Sequence, residues 1–209
     1  MAKKWIGYIG VGSLMCAALG CGILYTRQAR LQQTISDKVL RFHVLANSDS
    51  EADQTLKLAV RDRVLQEYGD LLETCTSKEE TLAALKNAQQ EISETAEAEV
   101  LAQGYTYPVR VSLVREEFPF KKYGDLIFPA GVYDALRIEI GEAKGKNWWC
   151  VLYPQMCYVD AAWGYSTEES HVRLQNTLTK EEFLVVSAME QKKVTPKIKC
   201  RLVELWSER

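Results

Sequence analysis

Val39-Leu40-Arg41-Phe42-His43-Val44-Leu45-Ala46-Asn47-Ser48-Asp49-Ser50 is the stretch that decides the fold class. Leu40, Phe42 and Val44 alternate with Arg41 and His43, the period of a strand whose two faces meet different surroundings. The alternation stops at Asn47-Ser48-Asp49-Ser50. These residue types start turns and cap helices because their short side chains bond nearby backbone. Ser50 with Asp53 three positions on resembles a capping box, with Asp in place of the stronger Glu. A helix to about Leu72 follows, with Leu56, Val60 and Val64 as its core stripe and Asp53 to Lys57 as a favourable surface pair. A strand leading directly into a capped helix calls for layers of sheet and helix.

Downstream, the helical period continues. Ser77-Lys78-Glu79-Glu80 is a capping box, Leu82, Leu85, Ile92, Ala96 and Val100 make one apolar face, and Gly104 is a natural stop. The Glu-rich outer face reads as solvated surface. From Tyr105 the period switches to two: Val109, Val111 and Leu113 alternate with Arg110, Ser112 and Val114. Further strands read at Leu126–Phe128 and across residues 132–140 and 148–153. Short turns at Tyr123-Gly124-Asp125, at Pro129-Ala130-Gly131 and across residues 141–147 favour antiparallel hairpins. Residues 160–177 are the least patterned. Thr179 with Glu182 caps a short helix to about Gln191. In residues 198–206, Ile198, Cys200 and Leu202 alternate with Lys199 and Arg201 as a last strand. The expected fold is α+β: an N-terminal membrane-crossing helix, then one layered domain with a mostly antiparallel sheet and about three helices.

Upstream, Lys3 and Lys4 precede an uncharged run over residues 5–25, and Arg27 and Arg30 follow it. At about 1.5 Å per residue the run just crosses a bilayer core of roughly 30 Å. The small residues of Ala17-Ala18-Leu19-Gly20-Cys21 suit a cleaved export signal, while the length of the run suits a retained anchor. Gly12, Cys16 and Gly20 recur every fourth residue, a small-residue stripe of the kind that lets membrane helices approach. The organisation expected is residues 1–25 as signal or transmembrane segment, 26–38 as a short polar stalk, and 39–209 as an extracytoplasmic domain. Residues up to Lys38 hold five basic side chains and one acidic one. The remaining 21 basic and 27 acidic residues therefore carry a formal charge of about −6, against −2 for the whole chain. An acidic body argues against nucleic-acid binding. About 170 residues are enough for one domain with a real core.

Of six cysteines, Cys16 and Cys21 lie in the apolar run and Cys75, Cys150, Cys157 and Cys200 in the body. In an exported domain four thiols allow three disulfide pairings, with buried free thiols as the alternative. Cys150 and Cys157 are the closest pair and flank a turn containing Pro154. No pair has CxxC spacing, which disfavours zinc, and His43 with Asp49 lacks a third metal ligand. Gly141-Glu142-Ala143-Lys144-Gly145-Lys146 invites a phosphate-loop reading. It is one residue short, Asn147 stands where Ser or Thr would ligate magnesium, and a strand follows instead of a helix, so a Gly-rich hairpin is expected. Cys150 or Cys157 with His171 could form a nucleophile–base pair, but a thiol in an apolar strand is inert. Asp49 and Asp53 could serve acid–base chemistry, yet their place in a turn and cap explains them. No catalytic residue and no cofactor is expected. Trp148 and Trp149 are neighbours on a strand and point to opposite faces, so one fills the core and the other is available for a partner unless a layer covers it.

Two segments carry a longer pattern. The first is Arg41-Phe42-His43-Val44-Leu45-Ala46-Asn47-Ser48-Asp49-Ser50 with Asp53-Gln54, Leu56-Lys57 and Val60-Arg61-Asp62. The second is Pro129-Ala130-Gly131, Tyr133, Ala135-Leu136-Arg137, then Asn147-Trp148-Trp149-Cys150-Val151, Pro154 and Cys157. Over roughly residues 39–159 the chain resembles the stage II sporulation protein R family, with departures at Ala143 and Gln155-Met156. The resemblance implies a signalling role in endospore formation. Such a protein is made in the forespore and exported into the intermembrane space. There it triggers a membrane-embedded aspartic protease of the mother cell that processes pro-sigma-E. No catalysis by the chain itself is implied, and an exported hydrolase acting on the cell envelope is the alternative. His43, Asn47, Asp49, Asp53, Trp148 and Trp149 are the expected contact residues for that protease.

Overall fold

The computed structural model describes residues 2–157 and 168–188, with side chains from Leu19 onward. In chain order the elements are α1 (Ala2–Lys38), β1 (Leu40–Leu45), α2 (Glu51–Glu73), α3 (Lys78–Asn87), α4 (Gln89–Ala102), β2 (Val109–Phe118), β3 (Lys121–Tyr123), β4 (Leu126–Phe128), β5 (Gly131–Ile140), β6 (Asn147–Tyr153), α5 (Glu168–Thr177) and α6 (Lys180–Ala188). The class is α+β. Four strands form one sheet in the order β2-β5-β1-β6, and β3 and β4 make a separate hairpin.

The sheet is mixed. β2 is antiparallel to β5, and β6 is antiparallel to β1 with His43 opposite Trp149. β1 runs parallel to β5, from Leu40 opposite Asp134 to Leu45 opposite Glu139. A parallel pair needs a long crossover, and α2, α3, α4 and β2 supply it. β1 therefore lies between β5 and β6, and residues 141–146 are not a hairpin turn but a bridge over the end of β1. Burial explains the central place of β1. Leu40, Phe42 and Val44 enter one core with Leu56, Val60 and Val64 of α2, Leu85 of α3, and Ile92, Ala96 and Val100 of α4. Arg41 and His43 on the other face are buried as well. That face meets a second core, built from Ile35, Val39, Phe118, Tyr123, Phe128, Tyr133, Leu174 and Val186. A strand covered on both faces is an interior strand.

The described residues form six helices, more than the periodicity suggests. The single helix expected from Ser77 to Gly104 divides at Ala88, whose backbone (φ −88°, ψ 2°) leaves helical geometry. Asn87 before it is a weak helix former. The bend still lets Leu85 and Ile92 share one core. α5 occupies part of the segment that reads as unpatterned. Its buried residues are Ser170 and Leu174, too few to set a visible period. The helix expected to reach Gln191 is described to Ala188, and the strand expected over residues 198–206 lies outside the described residues.

Residues 26–38, expected as a short polar stalk, are the end of α1. Ile35 and Ser36 are buried, and Lys38 pairs with Glu182 at 2.6 Å while Arg27 pairs with Glu181. Lys78 Nζ donates to the Asp37 carbonyl at 2.9 Å and pairs with Asp134 at 2.7 Å, a cation placed at a helix C-terminus. Arg115 reaches the Asp37 carboxylate at 3.0 Å. A chain beginning at Val39 is expected to lose about 3 kcal/mol against one beginning at Thr26, from the lost burial of Ile35 and the lost bond from Lys78 to the Asp37 carbonyl. Urea midpoints of the two chains measure this, and equal midpoints would make this part of α1 a passive tether. Among the described residues no helix is long and apolar enough to cross a membrane. The expected crossing by residues 5–25 rests on their sequence.

Candidate interaction surface

The turn after β1 and the bridge between β5 and β6 are locked together by polar groups. Asp53 Oδ2 accepts from Asn47 Nδ2 at 2.9 Å and from Ser48 Oγ, while Ser50 Oγ caps α2 by accepting from Asp53 N at 3.1 Å. The bonds from Ser48 and Asn47 hold the Asp53 carboxyl below its ordinary range. Across the gap, Glu142 N donates to Asn47 Oδ1 at 3.0 Å and Lys144 N to Asn47 O at 3.2 Å. Gly145 N donates to Ala46 O at 2.9 Å and Lys146 N to Asp49 Oδ1 at 2.7 Å. Lys57, buried on α2, donates to Lys146 O at 2.9 Å. The amides that a phosphate would need are thus already used. Asp53 is buried, Asn47 half-buried and Asp49 exposed, and the bonds that all three make are those of a clasp.

Trp148 and Trp149 lie on opposite faces of the sheet, both half-buried. Trp148 packs edge-on against Phe42 at 5.6 Å, and the Arg61 guanidinium covers it at 4.8 Å. Trp149 stacks on His43 at 5.0 Å, meets Phe118 edge-on at 4.8 Å, and carries the Lys121 ammonium at 5.1 Å. The six expected contact residues therefore do not share one surface. His43 is 2 % exposed and acts from beneath Trp149.

Around Trp149 the sheet face is charged. His43 Nε2 lies 2.5 Å from Glu116 Oε1, and Arg137 reaches Glu116 at 3.2 Å and Glu139 at 3.5 Å. Glu116 favours a protonated His43, but its carboxylate is shared with Arg137. Burial, then Arg137 and Arg41, win and push the His43 pKa down to about 3. The imidazole is neutral at ordinary pH. Glu116, Lys121 and Arg137 were not among the expected contacts. The signal for them was a charged residue at the core-facing period of an otherwise apolar strand, which is visible for Arg137 between Leu136 and Ile138.

The other chemical candidates are occupied. Cys150 and Cys157 form a disulfide with Cα atoms 5.7 Å apart. The turn between them carries Gln155, which donates to Leu72 O and accepts from Arg173, so it ties α2 to α5. His171 stands 3.2 Å from Asp125 and edge-on to Phe183. Among the described residues no three His, Cys, Asp or Glu side chains converge to hold a metal ion.

The family model described as Stage II sporulation protein R matches residues 36–163, which include the clasp, β1 and both tryptophans. The Stage II sporulation protein R of Bacillus subtilis (strain 168) is 33% identical over 184 residues, 83% of this chain and 82% of that protein. No solved structure matches the chain.

Proposed function

Because the chain belongs to the stage II sporulation protein R family and so has a role in sporulation, we propose that it is an exported signal that activates a membrane-embedded aspartic protease. The forespore makes it, residues 5–25 carry it into or through the membrane, and the body works in the intermembrane space. The protease, in the mother-cell membrane, then processes pro-sigma-E. The body acts by binding, with greater affinity for the active state of the protease than for the inactive one, since equal affinity would shift nothing.

The observation that carries this reading is the Trp149 face: a half-buried tryptophan with Lys121 over its ring, on a rigid sheet, within the segment that the family model matches. A large aromatic beside a cation is the composition of a binding hot spot. An envelope hydrolase using His43, Asp49 or Cys150 finds less support. The imidazole is packed between rings, the carboxylate holds a backbone amide, and the sulfur is in a disulfide.

Coexpression of the full chain, the protease and pro-sigma-E in a non-sporulating host tests it. Processing is expected only when this chain is present. Lys121→Glu is expected to lower processing about tenfold, the loss of one good contact, with folding intact. Processing that ignores the chain would overturn the proposal, and peptidoglycan cleavage by the purified protein would favour the hydrolase. Full activity of Lys121→Glu and Trp149→Ala would move the contact surface elsewhere.

A further inference from the structure

Arg41 is a fully buried cation with almost nothing to bond. Its guanidinium sits among four rings, with centroids at 5.0 Å for Phe118, 5.3 Å for Phe128 and Tyr133, and 5.6 Å for Tyr123. Ala135 stands opposite it on β5. Nη2 donates to the Tyr123 hydroxyl at 2.9 Å, while Nε and Nη1 have no partner among the described residues. Ring faces attract a cation, but they do not replace the hydrogen bonds that its N–H groups make in water. A buried guanidinium without a carboxylate is costly, and a well-placed anion offsets part of that cost.

The cover over Arg41 is slight at one place. Tyr123 ends β3, a strand of three residues whose backbone ladder among the described residues is with β4 alone, with Gly124 at positive φ in the turn behind it. β4 is sunk in the core, whereas β3 also carries half-exposed Lys121 and exposed Lys122. So short a strand detaches at far lower cost than the main sheet. Lys121 adds to the imbalance. Burial, and then Arg41, lower its pKa, so closing β3 brings two cations together. The Lys121 ammonium also lies on Trp149, at the rim of the surface described above.

We propose that β3 is a door and that Arg41 behind it is the receptor for a carboxylate on an acidic segment of the partner. An Asp or Glu side chain would displace the Tyr123 hydroxyl and take the Nη2 donor that it frees, together with the unused neighbouring Nε, in a two-point pair. The cost of exposing Tyr123 is offset by pairing a cation that has no acidic partner among the described residues. This rests on the binding role proposed above only for the origin of the acidic segment.

Hexaglutamate is the probe, added to the full-length chain in detergent micelles, with hydrogen exchange read at the amides of residues 121–125. The expected result is about tenfold faster exchange there, with β1 and β5 unchanged, as local opening is selected by the ligand. Arg41→Met is expected to abolish the response while the melting temperature holds or rises. If that variant does not fold, Arg41→Lys keeps the charge but cannot make the two-point pair, and its response should be weaker than wild type. Unchanged exchange in the wild type would overturn the proposal. So would an equal response in the Arg41 variants, or in Arg41→Lys alone where Arg41→Met does not fold. Acetate at the same carboxylate concentration acting as well as the peptide would also overturn it, because the site would then take any small anion. A failed coexpression assay with this response intact would remove the protease but keep the Arg41 site. The reverse pair of results would remove the Arg41 site alone.

Discussion

Gly145→Ala is expected to destabilise the protein by about 3 kcal/mol or more, because the new methyl group would run into backbone. A Cβ at this position would overlap the Ser48 carbonyl oxygen, lie 2.5 Å from its carbon and sit 3.0 Å from the Ala46 side chain. A flexible side chain could move away; a carbonyl fixed in a clasp cannot. To accommodate the methyl, the bridge over β1 must lift. It would then lose the bonds from Gly145 N to Ala46 O and from Lys146 N to Asp49. The β1–β6 pairing beneath would lose its cover. Gly131→Ala is the control. A Cβ there meets only Tyr133 at 3.5 Å, an ordinary contact, and stability should hold. Guanidinium denaturation of both variants decides the matter. A Gly145→Ala midpoint equal to wild type would mean that the bridge and the turn are not locked.

Stability should fall by roughly 2 kcal/mol between pH 6.5 and pH 5 through one buried histidine. His43 has an ordinary pKa of 6.5 and is held near about 3 in the folded chain. Between those values the unfolded chain binds a proton that the folded chain refuses, so acid favours unfolding. The contribution is complete above pH 6.5 and is lost progressively as the pH falls towards 3. The window matters for assignment. Asp37, Asp53 and Glu182 are also held low, but they begin to lose their contribution only near ordinary carboxylate pKa values of about 4. His43→Phe keeps the stack on Trp149 and should flatten the slope above pH 5. Urea titrations at pH 7 and pH 5 measure both proteins. An unchanged slope in the variant would assign the acid sensitivity to another group.

Much of the first core was legible because its period is carried by side chains with one favoured place. Leu56, Val60 and Val64 are buried on α2, and Leu85, Ile92, Ala96 and Val100 follow the stripe of the second helical region. Ser50 and Ser77 cap helices where their spacing placed them. The third partner of each cap was less readable. Asp53 turns to Asn47 and Ser48, and Glu80 takes the Thr76 amide and hydroxyl, because those donors are nearer once the turns close. Topology was not legible at the bridge. A short Gly-rich connection between two strands reads as a hairpin, and nothing local says that a strand from ninety residues earlier lies between them.

Local chemistry, repeated at a fixed period, was enough to determine the α+β class, the strand at Leu40–Leu45, the capped helices and the family, since each depends on neighbours in the chain. Only the tertiary structure decided that β1 is covered on both faces, that Asn47, Asp49 and Asp53 close a clasp, and that Arg41 and His43 are buried cationic and neutral groups. Those outcomes depend on which distant backbone arrives beside a residue and excludes its water, and no period in a sequence records that.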